Sequence, residues 1–166
     1  MGVLKTVGPE FLDSAPVRVR RTTVIHAPLH DVFMTVAGDP SSWGQWCPGF
    51  SRESRWTSPP PHGVGSERTM HAFGSDIVEE ILIWDEDSRW TFRIKESGMG
   101  AFNAFAEDWQ FETVTPSSTR ATWSMAADGS MPRLIIKAWL AIQIAIMMRI
   151  SSRRLEKLLR GDSARH

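Results

Sequence analysis

The regular pattern of the chain begins with β-branched residues that alternate with polar ones. Residues 17–27, VRVRRTTVIHA, show this alternation, which predicts a β-strand that ends before a proline. In residues 29–38 the apolar positions recur at helical spacing, which predicts a short helix. Residues 39–42, DPSS, resemble an N-terminal cap for a second short helix, which carries Trp43 and Trp46 on one face.

Six further segments have the composition and alternation of strands and are separated by turn residues. They are residues 50–56, 66–73, 76–84, 89–95, 103–114 and 119–127. Because the connections are short, these strands should be antiparallel neighbours. In the fourth segment Trp90, Phe92 and Ile94 alternate with polar residues, and two later segments repeat this pattern. The pattern indicates a sheet with one apolar face and one polar face.

The last predicted element is a helix of about 29 residues that begins near Met131-Pro132 and stops at Gly161. Its first half is almost wholly apolar, and its second half is amphipathic and basic. Such a helix is the natural cover for the apolar face of the sheet. The sequence therefore predicts an α+β protein with a curved antiparallel sheet of about seven strands, two short helices after the first strand, and a long C-terminal helix.

Several local motifs give this layout a family resemblance. They are the stretch VIHAPLHDVFMTVAGDPSSWGQWCPGF at residues 24–50, Gly63-x-Gly65-Ser66 before a strand, the Glu79-Glu80 pair, and STRATW at residues 118–123. On these residues the chain resembles the helix-grip fold of the START/Bet v 1-like (SRPBCC) superfamily, and within it the polyketide cyclase/dehydrase-like proteins. The resemblance covers about residues 17–160, which we expect to form one domain between an N-terminal arm (1–16) and a C-terminal tail (161–166).

The resemblance implies a hydrophobic cavity that binds lipids, polyketides or other apolar small molecules, and some members of the family catalyse cyclisation or dehydration. We expect the cavity wall to come from apolar residues on the inner face of the sheet and on the long helix. They are Met70, Trp90, Phe92, Ile94, Phe105, Trp109, Phe111, Trp123, Met125, Ile135, Trp139 and Ile142. The chain has eight Trp, eight Phe and no Tyr, so no phenol is available for chemistry in the cavity.

Glu107 is the clearest exception to the apolar pattern, because alternation along the strand places it on the same face as Phe105 and Trp109. A carboxyl group in that position would be partly desolvated, which raises its pKa and suits a general acid or base. Three other interpretations stay open: a position at the open end of the cavity, an internal pair with an arginine, or a β-bulge that reverses the parity.

Glu79 and Glu80 are adjacent, so on a regular strand they point to opposite faces, and the pattern does not decide which one faces inward. The inward one could pair with Arg68 on the preceding strand. His71 lies on the face opposite to Arg68 and could form a proton-transfer pair with Glu79 or Glu107. For each of these residues, a structural ion pair or hydrogen bond is the alternative.

Other classes of site find little support in the sequence. Cys47 is the only cysteine, which excludes an internal disulfide framework, and between Trp46 and Pro48 we expect a buried, inert thiol. No H-x-H, H-E-x-x-H, G-x-S-x-G or phosphate-binding glycine motif occurs, so we expect no metal and no cofactor. The balance of 19 basic and 19 acidic residues argues against a nucleic-acid partner.

This balance conceals an asymmetry along the chain. Residues 131–166 contain eight Lys or Arg and two Asp or Glu, a net charge of +6, and residues 1–130 carry −6. The apolar, basic helix could therefore contact a homodimer partner or, weakly, a membrane surface. No secretory signal opens the chain, so we expect a cytoplasmic protein, with peripheral membrane contact as the alternative. Gly2 and Thr6 match a myristoylation pattern, although a loose N-terminal arm is the simpler expectation.

These observations favour a protein that binds an apolar small molecule in an internal cavity. The first alternative is an enzyme of cyclase or dehydratase type, in which Glu107, Glu79 or Glu80 transfers protons and Arg68 or His71 polarises a carbonyl group. The second alternative is a membrane-surface or subunit-interaction module that uses the C-terminal helix.

Overall fold

The computed structural model describes residues 1–98 and 100–163, and the side chains as far as residue 161. The strands of the described chain are β1 (Gly2–Val3), β2 (Val17–Ile25), β3 (Arg55–Trp56), β4 (Glu67–Ala72), β5 (Ser75–Asp85), β6 (Arg89–Ser97), β7 (Phe102–Thr115) and β8 (Ser118–Gly129). The α-helices are α1 (Phe11–Ser14), α2 (Leu29–Phe33), α3 (Trp43–Trp46) and α4 (Arg133–Ser163). A π-helical turn (Met34–Gly38) and a 3-10 turn (Pro40–Ser42) join α2 to α3.

The strands form one antiparallel sheet in the order β2-β8-β7-β6-β5-β4-β3, with β1 added beside β6. Helix α4 crosses the inner face of the sheet, where Ile136, Leu140 and Ile144 are buried in the core. This arrangement confirms the predicted α+β helix-grip fold. The helix extends to Ser163, and residues 164–166 of the predicted tail lie outside the described residues.

The N-terminal segment differs from the expected loose arm. Strand β1 pairs with the end of β6, where Gly2 lies opposite Ser97, and the Leu4 N–H donates to the carbonyl of Lys95 at 2.8 Å. Strand β7 pairs with β6 only as far as Arg93, so β1 occupies the position that β7 leaves open. The expectation of a loose arm was wrong, because the free edge of β6 supplies a hydrogen-bonding partner that the local sequence does not indicate.

Residues 50–56 also depart from the prediction, which assigned a complete strand to them. Only Arg55 and Trp56 form β3, and Phe50 makes an isolated bridge to Ala72. Hydrogen bonds from Ser54 to Ser51 turn the chain between these two contacts. Serine side chains that bond to nearby backbone compete with strand pairing, which explains the interruption.

The two faces of the sheet follow the predicted alternation. The inner apolar residues of β6, β7 and β8 are buried. On the outer face, the Asp108 carboxylate accepts hydrogen bonds from Arg89 Nε at 2.7 Å, Thr91 Oγ1 at 2.6 Å and Gln110 Nε2 at 2.8 Å. Long polar side chains thus cover the outer face of the central strands and satisfy its buried carboxylate.

The short helices cover one end of the sheet, where the tryptophans of α3 pack against tryptophans of the sheet. The Asp39 carboxylate accepts from the Ser41 N–H and begins the turn that leads to α3. Five buried tryptophans then form one contact group, which we call the tryptophan cluster: Trp43, Trp46, Trp90, Trp109 and Trp123. The Trp43 indole N–H donates to the carbonyl of Val36 at 2.8 Å and fixes α3 against the preceding turn. This end of the core is therefore filled.

Leu4 provides a test of how strongly β1 is tied to the domain. Its exposed fraction is 6%, whereas that of the adjacent Val3 is 82%. We expect Leu4→Ala to lower the free energy of unfolding by about 2 kcal/mol, because it removes buried methyl groups. Val3→Ala should change it by less than about 0.5 kcal/mol. Urea unfolding followed by tryptophan fluorescence measures both, and equal effects would show that β1 does not contribute to the fold.

Candidate ligand-binding cavity

A cavity of about 180 Å³ lies between the sheet and α4, at the end that the tryptophan cluster does not fill. Its wall is made largely of apolar side chains and includes a few polar ones. The wall residues are Leu4, Phe50, Phe73, Ile77, Glu79, Ile94, Ser97, Phe102, Phe105, Glu107, Trp123, Met125, Trp139, Leu140, Gln143 and Met147. This composition suits an apolar ligand that carries few polar atoms.

The cavity opens between the β4–β5 turn and the first half of α4. Phe73 and Trp139 border it with exposed fractions of 60% and 43%. Phe73 has a positive φ of 53°, and its ring packs on Gly49, where an added Cβ would lie 2.3 Å from the ring. Gly49, whose own φ is 84°, is thus required both for its backbone conformation and for the position of Phe73 at the mouth.

Glu107 borders the cavity from the middle of β7. It pairs in register with Met125 on β8 and Phe92 on β6, so no β-bulge reverses its direction. The Trp123 indole N–H donates to its Oε2 at 2.7 Å. Burial, and to a lesser extent the negative charge of Glu79, raise the pKa of Glu107 to about 8, although the Trp123 hydrogen bond and Arg68 oppose that rise. At neutral pH the carboxyl group therefore holds a proton at the cavity wall.

Glu79 borders the same cavity and forms a buried ion pair. Its Oε2 accepts a hydrogen bond from Arg68 Nε at 2.6 Å, and both side chains are almost fully buried. Burial raises the pKa of Glu79, and the Arg68 guanidinium opposes that rise. The expectation that the inward glutamate of the pair contacts Arg68 is confirmed. Because arginine keeps its proton in proteins, the pair supplies a fixed dipole beside the cavity.

Three aromatic rings surround the Arg68 guanidinium. Its Cζ lies 4.4 Å from the ring centroid of Trp90 and 5.1 Å from those of Trp43 and Phe92. Nη1 and Nη2 are buried and, among the described atoms, have no hydrogen-bond partner. The faces of the rings therefore supply much of the stabilisation that hydrogen bonds would otherwise provide.

Two of the predicted catalytic residues lie outside the cavity. Glu80 points to the outer face of the sheet, where its Oε2 lies 2.5 Å from Arg93 Nη2. His71 also points outward, and its Nδ1 lies 2.9 Å from Asp76 Oδ1. Their assignment to the site was wrong, because the strand parity that directs Arg68 and Glu79 inward directs both of these side chains outward. The structure thus places Glu107, Glu79 and Arg68 near one another and separates Glu80 and His71 from them.

The predicted wall residues divide into three groups. Ile94, Phe105, Trp123, Met125 and Trp139 border the cavity. Five others are buried in the filled end of the core beneath the short helices: Met70, Trp90, Phe92, Trp109 and Phe111. Ile135 and Ile142 were placed wrongly, since they lie on the outer side of α4 with exposed fractions of 55% and 59%.

The sequence analysis also missed several wall residues. Leu140, Gln143 and Met147 follow helical spacing and carry a signal, but a helix that is apolar all round does not show which side faces inward. Leu4 lies in the segment expected to be a loose arm, and Phe50 and Phe73 lie at the ends of predicted strands, so only the folded chain brings them to the cavity.

The remaining candidate chemistry lies away from the cavity. Cys47 is buried as expected, and burial raises the pKa of its thiol, which keeps it protonated and unreactive. At the surface, His30 Nδ1 lies 3.0 Å from Asp87 and 3.8 Å from Glu86, a cluster with ligand types suited to a cation. The spacing rules missed it because it joins α2 to the distant β5–β6 turn, and exposed clusters of this kind are common without a metal.

The fold, with its cavity between the sheet and α4, defines a helix-grip protein of the START type. A START superfamily protein from Mycobacterium smegmatis has the same fold, with a TM-score of 0.73 and 14% identity over 85% of this chain and 98% of its own. A protein from Thermobifida fusca gives a TM-score of 0.66 and 20% identity over 85% of this chain and 94% of its own.

The family model described as polyketide cyclase/dehydrase and lipid transport matches residues 16–160, and the chain belongs to this family. Uncharacterized proteins of Mycobacterium tuberculosis and Mycobacterium bovis are 34% identical to it over 121 residues, which are 72% of this chain and 71% of theirs.

The raised pKa of Glu107 predicts a specific pH dependence of stability. The unfolded carboxyl group ionises near its ordinary pKa of 4.5, whereas the folded one holds its proton up to about pH 8. The stability due to the protonated group is therefore complete below the lower value and is lost as the pH rises through the higher one. Glu107→Gln keeps a neutral side chain and removes this loss.

Between about pH 5 and about pH 9, the wild-type protein should lose about 4 kcal/mol more unfolding free energy than Glu107→Gln does. Urea unfolding at the two pH values measures the difference. Glu112→Gln, at an exposed position of the same strand, is the matched control and should behave like the wild type. Parallel pH profiles for wild type and Glu107→Gln would contradict a buried, protonated Glu107.

Proposed function

We propose that this protein binds an apolar small molecule with one hydrogen-bonding oxygen, such as a carbonyl or hydroxyl group, in the cavity beneath α4. The observation that carries the proposal is the cavity itself, whose wall is mostly carbon and includes the carboxyl group of Glu107. The family description, which names polyketide cyclases, dehydrases and lipid transport, is consistent with a ligand of this class.

The polar groups of the wall define how such a ligand would be oriented. A protonated Glu107 can donate its O–H to a ligand oxygen while its other oxygen accepts from Trp123. Glu79 is engaged by Arg68 and adds a negative charge nearby, which disfavours an anionic ligand group. A neutral carbonyl or hydroxyl group therefore fits this wall better than a carboxylate.

Binding can be tested with prodan, a neutral naphthyl ketone whose emission shifts to shorter wavelength in apolar surroundings. We expect the wild-type protein to bind it and Ile94→Phe to weaken binding by about tenfold or more, because the added ring enters the cavity. Ile142→Phe adds the same ring on the exposed side of α4 and should bind as the wild type does. Equal affinities in all three proteins would place the prodan site elsewhere.

The second candidate function is a dehydration reaction, which the carboxyl groups at the cavity favour. The protonated Glu107 would donate its proton to the hydroxyl group of a β-hydroxy ketone, and the Glu79 carboxylate would accept the proton from the carbon next to the carbonyl. A conjugated enone forms and water leaves, so atoms and charge balance.

The aldol of benzaldehyde and acetone is a suitable probe, since its dehydration product absorbs strongly in the ultraviolet. If the protein is a dehydratase for such ketones, it should form the enone faster than buffer does, and Glu107→Gln should reduce the rate by about 100-fold or more. A wild-type rate equal to that of buffer would leave ligand binding as the function of the cavity.

A further inference from the structure

The outer side of α4 is an uncovered apolar surface. Five large side chains are exposed in the first half of the helix, and we call them the apolar stripe: Leu134, Ile135, Trp139, Ile142 and Ile146. Four of them follow spacings of four, three and four residues, so they share one side of the helix. Single exposed apolar residues are ordinary, but a contiguous stripe of this size indicates an interaction surface.

The opposite side of the helix is already engaged. Ile136, Leu140, Ile144 and Met148 are buried against the sheet and the short helices. By length and composition α4 is apolar enough to cross a membrane, but a third of its most apolar window is buried inside the domain. The helix is therefore the core helix of the fold, and its exposed stripe is suited to contact the surface of a partner and not to span a membrane.

Two arginines continue the side of the helix on which the stripe lies: Arg149 and Arg153 follow Ile146 by three and seven residues. Residues 133–155 contain five Lys or Arg and no Asp or Glu. Within the part of the chain that the structure describes, no acidic group pairs with Arg133, Lys137, Arg149 or Arg153. Arg149 and Arg153 also join Arg21 of β2 in a groove of about 350 Å³. Thr22, Thr23 and Ser152 also line that groove, beside Ala145 and Met148. Its arginines and hydroxyl groups suit phosphate.

These charges decide between the two partners that an apolar stripe could have. At about 100° per residue, Arg149 and Arg153 lie on the side of the helix that carries the stripe, and Arg133 and Lys137 lie on the other side. In a parallel pair Arg149 and Arg153 would approach their own equivalents, and in an antiparallel pair they would approach the start of the partner helix, which offers no acidic residue. Glu156 is the first acidic residue of the helix and lies beyond the stripe, so neither arrangement compensates the repulsion. An anionic surface compensates it directly.

We propose that the apolar stripe docks on an anionic phospholipid bilayer. Trp139 and the isoleucines would enter the boundary between headgroups and acyl chains, and Arg149, Arg153 and Arg21 would contact lipid phosphates. Trp139 belongs both to the stripe and to the cavity wall, so docking brings the mouth of the cavity to the bilayer. Exchange of an apolar ligand with the membrane follows, and this last step rests on the proposed function.

The test is flotation of the full chain, without added ligand, on vesicles of phosphatidylcholine with about one third phosphatidylglycerol. The wild-type protein should bind these vesicles, and added salt or pure phosphatidylcholine should weaken binding. The double variants Ile135→Gln/Ile142→Gln and Arg149→Glu/Arg153→Glu should each reduce the affinity by about tenfold or more. Val64→Gln/Val114→Gln changes exposed valines outside α4 and should bind as the wild type does.

Thermal unfolding of each variant verifies that it is folded, which is expected because all substituted side chains are exposed. The proposal is overturned if the wild-type protein does not float, or if Ile135→Gln/Ile142→Gln floats equally well. It is also overturned if light scattering shows a dimer that the isoleucine variant dissociates while vesicles do not bind, since a second copy then covers the stripe. Prodan binding measured without vesicles reports on the cavity separately.

Discussion

The placement of one guanidinium group, that of Arg68, determines how the rest of this domain is assembled. It lies on β4, pairs with Glu79 on β5, and packs against Trp90 and Phe92 on β6 and Trp43 on α3. A buried arginine is costly unless charge and ring faces compensate it, so these elements have to meet at one point. Removal of Glu79 alone would leave a buried, unpaired cation. The fold therefore depends on Glu79, and not Glu80, facing the inside of the sheet.

The same ion pair determines the chemistry of the cavity. Because Glu79 holds Arg68, the positive charge lowers the pKa of Glu107 less than burial and the Glu79 charge raise it. Its proton is therefore retained at neutral pH, and the Trp123 N–H fixes which oxygen is free to face a ligand. The tryptophan cluster fills the other end of the core, so the space that remains is short and adjacent to this carboxyl group. A neutral oxygen on an otherwise apolar molecule is the natural complement.

The sequence was sufficient for the fold and for part of the site. Alternation in β6, β7 and β8 identified the inner face, and the break in that alternation identified Glu107, because strand parity is a local property. The sequence did not show that Ile135 and Ile142 are exposed, because the pattern of a helix that is apolar on all sides does not indicate which side packs on the sheet. Nor did it find Leu4 or Phe73, which reach the cavity through the free edge of β6 and a positive-φ turn. Those contacts exist only after the strands have paired.

The structure explains the charge asymmetry of the chain, because basic residues on α4 lack the acidic partners that basic residues of the sheet have. On the outer face of the sheet, acidic residues are matched by cross-strand basic ones, as in the pairs Asp108–Arg89 and Glu80–Arg93. On α4, Arg149 and Arg153 have no acidic partners among the described residues, and they continue the side of the helix that carries the uncovered apolar side chains. A surface that is both apolar and uncompensated is unfavourable in water. This surface lies beside Trp139 and the mouth of the cavity. The proposed docking on a bilayer would therefore remove it from water at the place where the proposed apolar ligand would enter.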